Sequence, residues 1–164
     1  MEICMPLLLL AILYRYLYHM KRSFILLLLL FTLAKSYGQA QPVTATKPPA
    51  EMIGNFEDDY EIRYTISDTL WLQLPDTRFH IIKWNRDKKY IIAKNDKKNP
   101  GDGNLYTRID YMNFNNMDPW KWGYCLTVYN AATDVIAEAT AAADRDNPKK
   151  GCGGYPFSRM KKLK

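Results

Sequence analysis

The sequence contains few of the residues that most catalytic and metal sites require. Its 164 residues include only 2 His and 3 Cys. It has no Gly-x-Ser-x-Gly nucleophile elbow, no phosphate-binding Gly-Lys-Ser/Thr loop, no dinucleotide fingerprint and no His-rich metal motif. We therefore expect no cofactor and no metal ion. These absences weaken the case for an enzyme without excluding one.

Long hydrophobic runs are also missing. A membrane-spanning helix needs roughly 20 consecutive apolar residues, and the apolar runs at 6–13 and 26–33 are both shorter than this. The second run belongs to a secretory signal peptide, with a basic segment at 20–22 and an apolar h-region at about 23–33. Cleavage is predicted after Gly38 or Ala40, because both positions have small residues at −3 and −1.

Export is the consequence of such a signal. The mature protein is predicted to be periplasmic or secreted, with no stable membrane span after cleavage. Because the signal is complete from Met20 onwards, we interpret residues 1–19 as an extension upstream of the true start of translation. The alternative is an uncleaved signal anchor.

The positive charge of the chain lies at its two ends. The formal net charge is +6, from 23 Lys+Arg and 17 Asp+Glu. Residues 1–40 hold four basic residues and one acid, and residues 159–164 hold four basic residues, which leaves 15 basic and 16 acidic residues in 41–158. The body of the protein is therefore near neutral, and we expect no nucleic-acid partner. The basic C-terminus is predicted to be a solvated end.

Two cysteines, Cys125 and Cys152, remain after the predicted cleavage. An even pair in an oxidising compartment favours a disulfide. The bridge would close a loop of 28 residues, worth roughly 3–4 kcal/mol in the chain-entropy model. A thiol nucleophile or a metal pair is the alternative, although His80 is the only His left in the mature chain.

The pattern of the mature chain is that of a β protein. Residues 41–53, which are rich in Pro and Thr, are predicted to form a linker before a single domain at 54–164. Alternation of apolar and polar residues predicts six strands, at 60–66, 70–74, 78–84, 90–95, 105–114 and 120–129. One helix is predicted at about 133–144. The fold class is therefore mainly β: a small antiparallel β-barrel of six or more strands with one C-terminal helix and a disulfide-strapped tail.

Two segments resemble those of the lipocalin-like (calycin) barrels. Gly54-Asn55-Phe56 is similar to the Gly-x-Trp start of that family, with Phe56 in place of Trp. Residues 107–111, which contain Thr, Asp and Tyr, loosely resemble its Thr-Asp-Tyr segment. A helix and a C-terminal disulfide strap after the barrel are also similar to the family's layout. The resemblance implies a ligand-binding cup and does not name the ligand.

Candidate binding residues lie on the last two predicted strands. Alternation places Trp120, Trp122 and Tyr124 on one face of their strand, either as barrel core or as the wall of a cavity. On the preceding strand, Arg108 and Asp110 share a face and form either a ligand anchor or an ion pair within the sheet. The predicted ligand-binding residues are Tyr106, Arg108, Asp110, Trp120, Trp122 and Tyr124.

Three functions remain open at this point. The first is a non-enzymatic barrel that binds a small apolar or aromatic ligand. The second is a structural or interaction module with a filled core, whose partner would be another cell-envelope protein. The third is a small hydrolase that uses His80, or Glu57 and Asp59 as paired carboxylates.

Overall fold

The computed structural model of the protein describes residues 14–19 and 47–164. The chain divides into two units, of which the second, Thr44–Lys164, carries the barrel. Residues 14–19 are helical. The predicted signal sequence and its cleavage point lie outside the described residues. Among the helices of the described segments, none is long and apolar enough to cross a membrane.

Eight antiparallel strands form a closed barrel, each strand pairing with its neighbours in sequence and the last pairing with the first. This confirms the predicted fold class. Closure leaves no strand edge of the barrel unpaired. The strands are β1 (Gly54–Asp58), β2 (Arg63–Ile66), β3 (Leu70–Gln73), β4 (Thr77–Asn85), β5 (Tyr90–Asn95), β6 (Tyr106–Asn113), β7 (Trp122–Ala131) and β8 (Ser158–Lys162).

The first and last strands were not among the six predicted ones. They pair with each other, Phe56 opposite Lys162 and Glu57 opposite Lys161. The Nζ of Lys161 lies 2.8 Å from a carboxylate oxygen of Glu57. In β8 only Met160 is fully buried, so its sequence lacks the alternation of apolar and polar residues that predicts a strand. The basic C-terminal segment is therefore a barrel strand up to Lys162 and not a solvated end.

The structured domain begins before the predicted boundary at residue 54. A 3₁₀ helix spans Ala50–Met52, and the side chain of Met52 is fully buried in the interior of the barrel. The end of the predicted linker is thus part of the core.

The C-terminal helix, Asp134–Ala139, is shorter than predicted. Thr133 caps it, accepting a hydrogen bond from the backbone N of Ile136 at 3.2 Å. Ala137 is buried among residues on the outer face of the barrel, and this small side chain lets the helix lie close to the sheet. The helix ends at Thr140, whose backbone is extended.

The predicted disulfide between Cys125 and Cys152 is confirmed, with the two Cα atoms 5.5 Å apart. Cys125 lies in β7 and faces outwards, in a small cluster with Ala143 and Phe157. The bridge therefore holds the segment between the helix and β8 against the barrel wall. We call this segment, residues 140–157, the strap.

Candidate ligand-binding site

Aromatic rings fill the interior of the barrel at the level of Trp122 and Tyr124. Five rings there pack edge to face, with centroids 5.0–5.9 Å apart and interplanar angles of 66–83°. All five side chains are at most 7% exposed. The five are Phe56, Tyr64, Trp71, Trp122 and Tyr124. Trp122 and Tyr124 thus lie in a packed core.

A buried polar chain runs through this core. The hydroxyl of Tyr64 donates to Asp58 Oδ2 at 2.8 Å and lies 2.7 Å from the hydroxyl of Tyr124. Burial raises the pKa of Tyr64 and raises that of Tyr124 to about 12, so both phenols are neutral at ordinary pH. Asp58 Oδ1 also accepts from the backbone N of Tyr60 and Ile62, which closes the turn between β1 and β2. Each member has a structural partner.

Trp122 places a further polar atom in this core. Its Nε1 is buried, and among the described residues it has no hydrogen-bond partner. The Nε1–H is therefore a sensitive reporter for any polar molecule that enters the interior.

Tyr106, Arg108 and Asp110 lie on the outer face of β6, under the C-terminal helix and the strap. Nε and Nη2 of Arg108 donate to Asp110 at 3.0 and 3.1 Å, and Nη1 donates to the backbone oxygens of Glu138 and Thr140 at 2.7 and 2.8 Å. The guanidinium also stacks on the ring of Tyr90, with its carbon atom 4.3 Å from the ring centroid. Arg108 thus binds the carbonyls at the end of the helix and closes it after Ala139.

Asp110 is the centre of this attachment and is completely buried. It accepts from Arg145 Nη2 at 2.8 Å and from the hydroxyl of Thr127, besides its two bonds from Arg108. The backbone N of Ala143, in the strap, lies 3.4 Å from it. The ion pair therefore fastens the helix and the strap to the barrel.

The six predicted ligand-binding residues consequently do not form one pocket. Trp122 and Tyr124 point into the barrel, whereas Tyr106, Arg108 and Asp110 lie outside it. Trp120 precedes β7, and the guanidinium carbon of Arg159 lies 5.1 Å from the centroid of its ring. Of the six, Trp120 thus contacts Arg159, a residue that lines a different site.

That site is an outer cleft with a volume of about 500 Å³, close to β8 and the strap. The volume falls within the roughly 300–1,000 Å³ typical of small-molecule sites. Its apolar walls come from the β1–β2 turn, the β6–β7 loop and the strap: Tyr60, Phe114, Met117, Pro148, Pro156 and Phe157. We call this site the strap cleft.

Local packing holds the walls of the strap cleft in place. A Cβ added at Gly123 would lie 2.8 Å from Phe114 Cζ and 2.9 Å from the backbone oxygen of Ser158, so only glycine lets the ring lie against β7. On the opposite side, Phe157 is 2% exposed and its backbone N donates to Pro148 O at 2.9 Å. Phe157 also packs in one cluster with the two cysteines of the disulfide.

Three charged residues complete the strap cleft: Asp59, Lys149 and Arg159. Asp59 Oδ2 accepts from Arg159 Nε at 2.8 Å, and Oδ1 accepts from the backbone N of Arg159 at 3.2 Å. Within 14–19 and 47–164, nothing accepts a hydrogen bond from the terminal amino groups of Arg159, and Lys149 forms no ion pair. The cleft therefore combines apolar walls with an excess of one positive charge.

The residues considered for a hydrolase have other partners. His80 Nε2 lies 2.9 Å from Asp96 Oδ2 on the exposed surface of β4, and this hydrogen bond lowers the pKa of Asp96. Glu57 binds Lys161, which lowers the pKa of Glu57, and Asp59 binds Arg159. No cluster of three or more potential metal ligands occurs in the part of the chain that the structure describes.

Comparison with known proteins finds no matching family model, no matching curated protein and no matching solved structure. Sequence reasoning missed the strap cleft because its lining residues, at 59–60, 114–117, 148–149 and 156–159, are separated along the chain. The signal that could have found it is the aromatic pair Tyr155 and Phe157 beside Pro156, of which Phe157 lines the cleft.

Proposed function

We propose that the protein is an exported, non-enzymatic β-barrel that binds a small aromatic ligand in the strap cleft. The observation that carries the proposal is the cleft itself, with about 500 Å³ of space between apolar and aromatic side chains. Export rests on the signal sequence. The closed eight-stranded antiparallel barrel is compatible with the calycin resemblance, which implies ligand binding.

The ligand is placed outside the barrel because the interior rings already contact one another. Phe56, Trp71 and Trp122 pack edge to face in the core, with the two tyrosines beside them. A ligand of useful size would have to displace rings that are almost completely buried. The strap cleft, in contrast, is open and needs no rearrangement of the core.

A second candidate function is an interaction module of the cell envelope. The filled interior favours it, because such a module uses its outer surface and has no need of a cavity. The two candidates differ in a simple observation: only the first binds a small aromatic molecule in the strap cleft.

Replacing Tyr60 with Ala is expected to weaken binding of a neutral aromatic probe, 2-naphthylmethanol, about fivefold. The side chain of Tyr60 lines the cleft and is 62% exposed, so its loss removes a ligand contact without opening the core. An aromatic contact is worth about 1 kcal/mol, which gives this factor. Isothermal titration calorimetry of the purified protein measures it.

Tyr129→Ala is the matched control, because Tyr129 is a tyrosine of similar exposure, 54%, and is not among the residues that line the cleft. Its affinity for the probe should equal that of the unaltered protein. Absence of binding to the unaltered protein, or equal losses in the two variants, would contradict the proposal.

A further inference from the structure

The strap cleft has a feature that the binding of a neutral aromatic molecule does not use: a positioned guanidinium beside its apolar walls. We propose that the ligand is an aromatic anion whose carboxylate binds the terminal amino groups of Arg159. This inference rests on the proposed function and adds the chemical class of the ligand to it.

The hydrogen bonds of Arg159 leave the required donors available. Asp59 accepts hydrogen bonds from Nε and from the backbone N of Arg159, at 2.8 and 3.2 Å. These two bonds orient the guanidinium while Nη1 and Nη2 keep no acceptor among the described residues. Two parallel N–H groups of a guanidinium match the two oxygens of a carboxylate, and such charge-assisted pairs are stronger than neutral hydrogen bonds.

Trp120 positions the same group from a second direction. Its ring centroid lies 5.1 Å from the guanidinium carbon of Arg159, a distance at which the cation and the ring attract each other. The Arg159 side chain is 42% exposed, so a ligand can reach it. The guanidinium is thus held between a carboxylate and an aromatic ring before any ligand binds, which reduces the entropy lost on binding.

The charge balance of the cleft favours an anion. Asp59 offsets one positive charge, and Lys149, at the rim, contributes a second positive charge that has no ion-pair partner within the described ranges. Lys161, which also lies near the ring of Trp120, is paired with Glu57 at 2.8 Å. Arg159 and Lys149 would therefore repel a cationic ligand, whereas both attract an anion.

The apolar walls select the rest of the ligand. Tyr60 and Phe114 offer ring edges and faces, and Met117 offers a polarisable thioether that contacts aromatic rings favourably. Two fused rings fit within about 500 Å³. An aromatic ring system with one carboxylate can contact the apolar walls and bind Arg159 at the same time.

The test compares 2-naphthoate with 2-naphthylmethanol, which has the same rings and no charge. Calorimetry on the purified protein should give an affinity at least tenfold higher for the naphthoate, because a hydrogen-bonded charge pair contributes this much. In Arg159→Gln the preference for naphthoate should fall to the two- to threefold that Lys149 alone contributes. Arg159→Lys, which keeps the charge and loses the paired N–H groups, should retain part of the preference.

Arg63→Gln is the matched control, because Arg63 forms a similar arginine–carboxylate pair, with Glu57 at 3.4 Å, and does not line the cleft. It should keep the full preference for naphthoate. If Arg159→Gln fails to fold, Lys149→Gln provides a second test. Loss of the positive charge of this exposed rim residue should lower naphthoate affinity about two- to threefold.

The outcomes separate the two proposals. Equal affinity of the unaltered protein for naphthoate and naphthylmethanol would overturn the anion inference and leave the proposed function standing. Binding of neither compound would overturn both. A preference for naphthoate that stays tenfold or more in Arg159→Gln would overturn the assignment to Arg159.

Discussion

Replacing Asp110 with Asn is expected to lower the free energy of unfolding by about 3–5 kcal/mol, the cost of removing one partner of a buried ion pair. Asp110 is fully buried and binds two arginines, Arg108 and Arg145, whose side chains are 6% and 25% exposed. An amide at this position leaves both guanidinium groups without their counter-charge. The arginines then have no carboxylate to balance them under the helix and the strap.

Urea unfolding followed by tryptophan fluorescence measures the loss. Asp76→Asn is the control, because Asp76 is exposed in the turn before β4, and its unfolding midpoint should stay unchanged. A loss below about 1 kcal/mol for Asp110→Asn, the size found for surface ion pairs, would contradict the role given to this network.

Removing the disulfide, by replacing both Cys125 and Cys152 with Ala, is expected to lower the free energy of unfolding by roughly 3–4 kcal/mol. The bridge joins residues 27 positions apart and thereby restricts the unfolded chain. It also holds the strap, which supplies Pro148 and Phe157 to the cleft. We therefore expect naphthoate affinity to fall together with stability.

Reduction supplies the control for this variant. A reducing agent should destabilise the unaltered protein by the same amount and leave the double variant unaffected. If stability falls but naphthoate affinity does not, the walls of the cleft do not depend on the strap, and the site has been placed wrongly.

Much of the barrel could be predicted because its central strands follow the alternation of a half-buried sheet. The fifth strand, Tyr90–Asn95, lies at the predicted residues. The first and last strands could not be found in this way, since they are short and pair through opposite charges such as Glu57 and Lys161. That pairing joins segments about a hundred residues apart, which no local pattern indicates.

The end of the helix and the aromatic face depend on tertiary contacts, which local sequence patterns do not predict. The predicted helix extends to about residue 144, but Arg108 binds the carbonyls of Glu138 and Thr140, and the helix ends there. The predicted aromatic face of the last strand is interrupted, because β7 starts only at Trp122 and a register shift leaves Thr127 with no residue opposite it in β6. Val128 lies at an even spacing from Trp122 and Tyr124, but it consequently packs outside the barrel and does not share their face.

The candidate site was only partly predictable for a related reason. Arg108 and Asp110 do share a face, but whether that face points inwards depends on the helix and strap that later cover it. The strap cleft depends on the meeting of a turn, a loop and the disulfide-linked strap. Trp120 was selected from the sequence as an aromatic wall, and the structure places it beside Arg159.

The indole N–H signals in a ¹H–¹⁵N NMR titration with 2-naphthoate give the most direct test of binding in the strap cleft. Trp120 stacks on Arg159, which lines the cleft, whereas Trp122 and Trp71 lie in the core. Binding in the strap cleft should shift the Trp120 signal together with the backbone amides of Tyr60 and Arg159, while the core indoles stay unchanged. Shifts concentrated at Trp71 and Trp122, or none at Trp120, would contradict it.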